Sequence, residues 1–543
     1  MLTLIESAFP KLSPEEIRLL EPLAICEEYA DGETVFKAGD DMNLFVVESG
    51  LLDVLNPSDE NRVIVTHEPG QFSGDIDLLT RRPAIVFGVA RGKTRVLRVT
   101  ASKLSEVLIK IPHLSDKLIV AFQLRRELLT RSGKLGLRVV GPGRCKHTTM
   151  IREFLHKNFV PFTWFDSESD EGKAVCVSLG SPSAMPAVEC KEKVLVQPSL
   201  RQLATDAGIW RCHQNQSADL IVVGAGPTGI TAAVYGASEG LSTLVLDSLG
   251  PGGQAGGSSK IENFMGFPAG LSGNDLALLG VLQMLKFGAQ MVAPVSVERV
   301  EPAQTPKDYH TLTLDCGTNV MAKVVLVATG MRWRKLEAKN ADRFERAGIY
   351  YACTSVEALL HDSEDVCVVG AGNSAGQAAV YLAECCPGRT VHLLARGKLG
   401  PSMSDYLSKR ILSMPTIQVH EDTVITAVKG DRVIEGVEIR HQGKVSHLPA
   451  AAIFVFIGAE PCASWLPDRI GRDEKGFILT GNEALKSGKW PLSDREPCPL
   501  ETTIPGILAA GDVRSGSTKR VGFAVGDGSQ SVASVHQLLS STA

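Results

Sequence analysis

The amino-acid sequence predicts an α/β multidomain chain: two Rossmann-like nucleotide-binding domains, preceded by a β-barrel (jelly-roll) domain and a small α/β domain. Two observations carry the C-terminal half. Asp219-Leu220-Ile221-Val222-Val223 reads as a buried strand that enters Gly224-Ala225-Gly226-Pro227-Thr228-Gly229 and a helix through Ala237; a further apolar strand, Thr243 to Leu246, ends at Asp247. A second copy reads Val366-Cys367-Val368-Val369, then Gly370-Ala371-Gly372-Asn373-Ser374-Ala375, then the strand Val391 to Leu394. The third observation is N-terminal, where short alternating segments are punctuated by Gly32, Gly39, Gly50 and Gly70, as in a small barrel.

At 543 residues the chain exceeds what one hydrophobic core supports. The expected division is 1–131 for the barrel, 135–210 for the small α/β domain, 217–333 and 459–543 for the first nucleotide domain, and 334–458 for the second. A hydrophobic fraction of 44%, a charged fraction of 22% and a net charge of −5 are those of a globular chain without the basic field that nucleic acid requires. Apolar stretches such as Ala451 to Ala459 are about half the length of a membrane helix. Met1 to Glu6 carries no basic residue and soon meets Pro10 and Pro14, which predicts no signal peptide. The 12 cysteines are scattered without zinc-type spacing and without any Cys-x-x-Cys, so a reducing, cytoplasmic setting with free thiols and no metal is expected.

Ser13-Pro14-Glu15-Glu16 opens the first domain as a capping box, and Leu104 to Leu129 closes it as a helical stretch. Gly32-Glu33-Thr34-Val35-Phe36, Gly39-Asp40 and Phe45-Val46-Val47-Glu48-Ser49-Gly50 make this region resemble the cyclic-nucleotide-binding domain family. The resemblance places a phosphate cassette at Phe72 to Phe87, with Asp75 at the position of the ribose-binding Glu and Ala84 at that of the phosphate-binding Arg. Without that arginine the cyclic phosphate loses its charge-assisted partner. The expectation is a barrel kept for packing or for a partner, with Arg81 and Arg82 as the side chains placed to substitute.

The second region runs strand (Leu137 to Val140), Gly-Pro-Gly loop, helix (Thr148 to Asn158), strand (Pro161 to Asp166), Met185-Pro186, strand (Val194 to Val196) and helix (Ser199 to Ala207). This order resembles the thioredoxin and glutaredoxin fold, with Pro186 as the cis-proline before the third strand. The active-site loop then reads Cys145-Lys146-His147-Thr148, a Cys-x-x-Thr. A thiol at a helix N-terminus flanked by Arg144, Lys146 and His147 suits a thiolate, but it has no resolving cysteine, so a domain without redox work is the expectation.

In the third region the residue types follow from phosphate binding. Gly224 permits the tight turn, Gly226 the approach of a pyrophosphate and Gly229 the packing of helix on strand. Asp247 is placed for the ribose hydroxyls. The second copy ends in Ala395-Arg396 without an acid, which favours a 2′-phosphate and hence NADPH over NADH. The whole region resembles the low-molecular-weight thioredoxin reductase family: Gly252-Gly253-Gln254, Glu262-Asn263-Phe264-Met265-Gly266-Phe267-Pro268, Ala328-Thr329-Gly330, Pro505 to Asp512 and Lys519-Arg520-Val521 match its FAD segments. That resemblance implies FAD held by Gly253, Gln254, Asn263, Thr329, Gly330, Gly511, Asp512, Arg520 and Val521, with Asp512 on the ribityl chain, and a homodimer. Two departures accompany it. Where the family has Tyr-Cys-Ala-Thr-Cys-Asp, this chain has Tyr351-Ala352-Cys353-Thr354-Ser355-Val356, and where it has His-Arg-Arg, this chain has Ala395-Arg396-Gly397 with Lys398 nearby.

Cys385-Cys386 is expected as two incidental thiols at a helix end, and Trp333 as hinge packing. The functional expectation is an enzyme in which NADPH reduces FAD and an unidentified acceptor other than a local dithiol takes the electrons. The alternatives are a non-catalytic flavin-containing redox sensor, and thioredoxin-disulfide reduction through Cys145 or Cys353.

Overall fold

The computed structural model describes all residues except 1–3, 57–60, 133–135, 144, 191–192, 211–215, 259, 306, 354–357, 359–360, 362, 387, 401–402 and 541–543, and except the side chains of 4 and 129–132. Helices α1 (Leu4–Ala8) and α2 (Pro14–Leu20) lead into β1 (Ile25–Tyr29), β2 (Thr34–Phe36), β3 (Leu44–Asn56), β4 (Arg62–His67), α3 (Ile76–Thr80) and β5 (Phe87–Val99). Ser13 and Glu16 form the capping box: Ser13 Oγ accepts from Glu16 N at 3.2 Å and Glu16 Oε2 from Ser13 N at 2.7 Å. The five strands form one antiparallel sheet, with β5 pairing β1, β2 and β3, and β3 pairing β4. The short, even strands expected from the glycine spacing are corrected here, because β3 and β5 each run 13 residues. Gly50 bends β3 instead of ending it, at φ +78 within the second of two register shifts. The expected single closing helix is likewise two, α4 (Ala101–Lys110) and α5 (Pro112–Ser132), since Pro112 has no N–H to continue the first.

The central module comprises β6 (Leu137–Gly141), α6 (Lys146–Lys157), β7 (Phe162–Asp166), α7 (Asp170–Ser178), β8 (Ala187–Cys190), β9 (Lys193–Val196) and α8 (Leu200–Asp206). Its sheet order is β7-β6-β8-β9, with β6 and β7 parallel and the other pairs antiparallel, and the Met185–Pro186 peptide is cis. The sequence reading missed α7; its signal is Ser169, whose Oγ accepts from Gly172 N at 3.0 Å.

The first nucleotide domain contains β10 (Ser217–Val223), α9 (Pro227–Ser238), β11 (Thr243–Leu246), α10 (Gly273–Lys286), β12 (Gln290–Val292), β13 (Val297–Glu301), β14 (His310–Leu314), β15 (Asn319–Val327) and β16 (Met331–Trp333). The second follows with β17 (Ile349–Tyr350), β18 (Val366–Val369), α11 (Asn373–Cys385), β19 (Val391–Leu394), α12 (Asp405–Ser413), β20 (Ile417–His420), β21 (Thr423–Lys429), β22 (Gly436–His441), β23 (Lys444–Pro449), β24 (Ala452–Val455) and β25 (Ala459–Pro461). The chain then returns to the first through α13 (Gly481–Lys486), β26 (Ile507–Ala509) and α14 (Val521–Ser540). The first sheet runs β12-β11-β10-β15-β14-β13 with β26 added on β15; the second runs β17-β24-β18-β19-β20 and is parallel throughout. The antiparallel pair β16–β25 sets the two crossings between the domains side by side.

Packing ties all parts together. Leu282 of α10 sits in the core of the N-terminal domain with Phe72 and Phe122, and Lys286 pairs with Asp116 at 3.0 Å. Phe159, just after α6, belongs to the core of the first nucleotide domain. Lys146 reaches Glu345 at 3.3 Å, and Arg346 and Arg432 pair with Glu153 and Glu168.

Two histidines inside these cores make stability depend on acid. Burial holds His310 down to about 4, helped by Arg469, and its Nδ1 lies 3.1 Å from Ala303 N, which requires the neutral ring. Burial, with Arg125, holds His67 down to about 3. A depressed histidine stabilises the fold fully above its unfolded value of 6.5 and loses that contribution as pH falls towards the folded value. The urea midpoint should therefore decline as pH drops from about 6.5, and less steeply for His310→Gln.

Candidate active site

Glycines shape the turn between β10 and α9. Gly224 has φ +109, and a Cβ there would lie 2.4 Å from Ala328 O; a Cβ on Gly229 would lie 1.8 Å from Gly224 O. Gly226 differs, because its nearest neighbour at the Cβ position is the Gly253 Cα at 3.9 Å, leaving the turn open on that side. Thr228, at the start of α9, is wedged between Gly511 and Gly528: a Cβ on either would come within 2.3 Å of its Oγ1 or 2.4 Å of its carbonyl oxygen. The first nucleotide turn, the end of β26 and α14 are thereby held against one another.

The helix starts carry the electrostatic argument. Helices α2, α4, α7, α8 and α10 are closed by Ser or Thr side chains that accept from their first amides. Helices α9 and α11 begin at Gly226 and Gly372 with no side-chain cap. Their first N–H groups and dipoles are thus available to a phosphate, and Pro227 adds a helix-compatible φ at the first position of α9.

Around this turn, Asp247 accepts from Ala225 N and Gly250 N at 2.8 Å and from Leu249 N at 2.9 Å, so one carboxylate ties both glycine loops together. Gln254 donates to Met331 O at 3.1 Å, and Thr329 donates to Cys462 O at 2.7 Å beside Gly330. Asn263 is exposed. Asp512 follows Gly511; burial pushes its carboxyl up, Lys519 opposes this, and no described residue donates a hydrogen bond to the carboxylate. An acceptor half-buried without a donor fits the hydroxyls of a ribityl chain. Arg520 precedes Val521, where α14 begins. Uncapped amides, an open glycine turn and a waiting carboxylate together fit FAD.

At the second turn Gly370 has φ +142, with a Cβ position 2.4 Å from Phe456 O, and leads to Gly372, Asn373, Ser374 and the buried Ala375. Asn373 Oδ1 accepts from Ser404 N at 2.8 Å, fixing the loop before α12. Arg396 is exposed, with no ion-pair partner among the described residues. Lys398, expected to reinforce it, is corrected: Glu421 and Asp422 each hold its Nζ at 3.0 Å, and both raise its proton affinity. Among the described residues Arg396 is then the cation left at the end of β19 without an acidic partner. Arg396→Ala should raise KM for NADPH by about tenfold and leave KM for NADH unchanged, as read by steady-state kinetics with each donor.

Residues 218–528, more than half of the chain, match the family model described as pyridine nucleotide-disulphide oxidoreductase. The chain belongs to that family. As such it is an FAD-dependent oxidoreductase, and its cofactors are FAD and NADPH. Residues 26–110 match the cyclic nucleotide-binding domain model. The chain is similar to the thioredoxin reductase of Mycoplasma pneumoniae, 28% identical over 324 residues that cover 59% of this chain and 95% of that one. It is 31% identical to the thioredoxin reductase of Mycoplasma genitalium over 320 residues, 58% of this chain and 94% of that one. Among solved structures it resembles the Lactococcus lactis thioredoxin reductase, with 27% identity, 60% and 99% of the two chains covered, and a TM-score of 0.49.

Within this oxidoreductase the candidate thiols Cys145 and Cys353 are free and belong to different parts of the chain. Cys145 stands at the N-terminus of α6, in the central module, and its side chain does not cap the helix. Cys353 packs with Cys385 and Tyr350 against the core of the second nucleotide domain. Ser355 and Val356 lie outside the described residues, as does Arg144. The vicinal Cys385 and Cys386 have sulfurs 3.6 Å apart and form no disulfide. Two functional contacts escaped the sequence reading. Lys157, from the central module, donates to Gly253 O at 2.9 Å, and Asp527 accepts from Gly511 N at 2.9 Å while pairing with Arg514 at 3.1 Å. Neither has a local signal, since each joins residues distant in sequence or across a helix start.

No helix among the described residues is long and apolar enough to cross a membrane. No group of three or more metal-ligating side chains occurs among them.

Proposed function

We propose that the chain passes electrons from NADPH through FAD to an acceptor other than a local Cys-x-x-Cys. The observation that supports this reading is that Cys145 and Cys353 are both free thiols on different parts of the chain. Ala352 replaces one family cysteine in the sequence, while Cys353 and Cys145 belong to different modules. A disulfide that accepts two electrons requires two sulfurs at one place. Bound FAD supplies the chemistry, taking hydride from NADPH and releasing two electrons.

This chain's residues orient and hold the cofactors. Gly224, Gly226, Pro227, Thr228, Gly229 and Gly253 cradle the flavin nucleotide's pyrophosphate; Asp247 faces its adenosine ribose; Gln254, Asn263, Thr329, Gly330, Gly511, Asp512, Arg520 and Val521 line the remainder. Gly370, Gly372, Asn373, Ser374, Ala375 and Arg396 receive NADPH. The parts serving these roles are 217–333 with 459–543 for FAD and 334–458 for NADPH. Segment 135–210 is a thioredoxin-fold module that has lost its dithiol, and 1–131 is a jelly-roll barrel that does not take a cyclic nucleotide in the family's manner. Support for the last point is that Ala84 is buried in the barrel core and Asp75 is held by Arg126 at 2.7 Å.

Anaerobic stopped-flow mixing with NADPH tests the reading. Bleaching of the flavin's long-wavelength absorbance, with turnover persisting in the Cys145→Ser, Cys353→Ser double variant, is the expected result; no bleaching by NADPH or NADH would overturn it. A second reading, a flavin-borne redox sensor reporting to the barrel, has one observation in its favour: Leu282 of α10 lies inside the barrel core. It predicts unchanged flavin absorbance under the same mixing.

A further inference from the structure

A cavity of 240 Å³ lies where three parts of the chain meet. Residues 79–82 and Ser105 wall it on the barrel side, Asn158 and residues 208–209 on the central-module side, and 285 with 288–293 on the side of the first nucleotide domain. No residue of β1 to β5 lines it, so it lies outside the barrel interior where the cyclic-nucleotide resemblance would place a ligand. Its lining contains two arginines and no carboxylate.

Arg82 is the decisive group. Its side chain is 9% exposed, its nearest acid is Asp77 at 3.7 Å, and its guanidinium donates no hydrogen bond to a described residue. A guanidinium carries five N–H donors, and buried donors in folded proteins are nearly always satisfied. Arg81, beside it, is exposed at φ +55 and has no ion-pair partner among the described residues. Opposite them, Asn158 uses its Nδ2 on Phe154 O and Leu249 O, both at 2.8 Å, and leaves its buried Oδ1 without a partner. Among the described residues β12 pairs only with β11, so the backbone edge of Gln290–Val292 is also open towards this space.

Arg81, with no acidic partner among the described residues, and the buried Arg82, whose nearest acid stands 3.7 Å away, present donors to an oxyanion, and the planar donor pattern of arginine matches phosphate. The volume exceeds that of a bare anion, since one water occupies about 30 Å³. The lone Asn158 acceptor calls for a donor on the rest of the molecule. We propose that this cavity binds a phosphorylated small molecule, with its phosphate on Arg82 and Arg81 and an N–H or O–H of its body on Asn158 Oδ1.

The test is isothermal titration of the full-length, FAD-loaded protein with AMP, cyclic AMP, inorganic phosphate and adenosine. AMP or phosphate should bind and adenosine should not. Tighter binding of AMP points to a phosphorylated metabolite, and equal binding to free phosphate. Arg82→Gln should abolish the binding, and Arg81→Glu, at an exposed position that leaves the fold intact, should weaken it at least about tenfold. Absence of binding by both AMP and phosphate, or binding that survives Arg81→Glu and Arg82→Gln unchanged, would overturn the proposal. Cyclic AMP binding that ignores both variants, with no AMP binding, would place a nucleotide in the barrel instead and overturn it as well.

Discussion

Gly229→Ala is expected to give a protein that purifies without its flavin. The added Cβ would lie 1.8 Å from the Gly224 carbonyl oxygen, and it would also come to 3.0 Å from Val222 Cγ1. Real Cβ atoms do not approach backbone so closely, so the start of α9 must move off β10. That movement displaces the uncapped amides at Gly226 and withdraws Thr228 from its place between Gly511 and Gly528. The site depends on aligned donors in a narrow turn, so a shift of about an ångström costs at least about tenfold in flavin affinity, or about 1.4 kcal/mol. The visible-to-ultraviolet absorbance ratio of the purified protein measures the loss. Titration of FAD into the apoprotein gives its size, and circular dichroism confirms that the fold remains. A variant that retains a full complement of flavin would show that this turn does not set the affinity.

Arg126→Met is expected to lower the stability of the N-terminal domain by about 3–5 kcal/mol, the cost typical of breaking a buried ion pair from one side. Arg126 Nη2 lies 2.7 Å from both Asp75 Oδ2 and Asp77 Oδ2, and all three side chains are nine-tenths buried. Burial pushes the Asp75 carboxyl up and Asp77 adds repulsion; Arg126 is the main force in the other direction. Without Arg126, two acids share a dry site with Arg82 at 3.7 Å as their remaining close partner. Asp75 also caps α3, accepting from Asp77 N at 2.9 Å, so protonation would loosen that turn. Urea unfolding should show an earlier first transition, as befits a multidomain chain. Adding Asp75→Asn and Asp77→Asn should recover part of the loss, which a purely steric effect of methionine would not allow.

The most legible parts of the sequence were those where chemistry is local. A strand, a glycine turn and a helix start lie within a dozen residues, so the motifs at Gly224 and Gly370 stand in the structure on the elements their spacing requires. The capping box at Ser13 is equally local. What escaped was set by distant partners. Lys398 looks like a phosphate ligand until β20 and the turn after it bring Glu421 and Asp422 against it. Arg81 and Arg82 look like stand-ins for a missing arginine, yet they line a cavity shared with residues more than 200 positions away. Glycine spacing suggested strand ends, but Gly50 proved to be a bend inside a continuous strand, because the pairing of β3 with β5 persists on both sides of it.

Helix α6 acts as a ruler. It runs for 12 residues, with Cys145 at its first end and Lys157 at its last. At about 1.5 Å per residue its length is about 18 Å. Lys157 grips the Gly253 carbonyl, while Lys146 and Glu153 are tied to the second nucleotide domain at Glu345 and Arg346. Both ends of the ruler are therefore pinned, and the thiol stands some three helical turns from the glycine loop. Any tilt of α6 would therefore be felt at the Gly253 carbonyl and at Glu345 together, which couples the placement of the central module to both nucleotide domains.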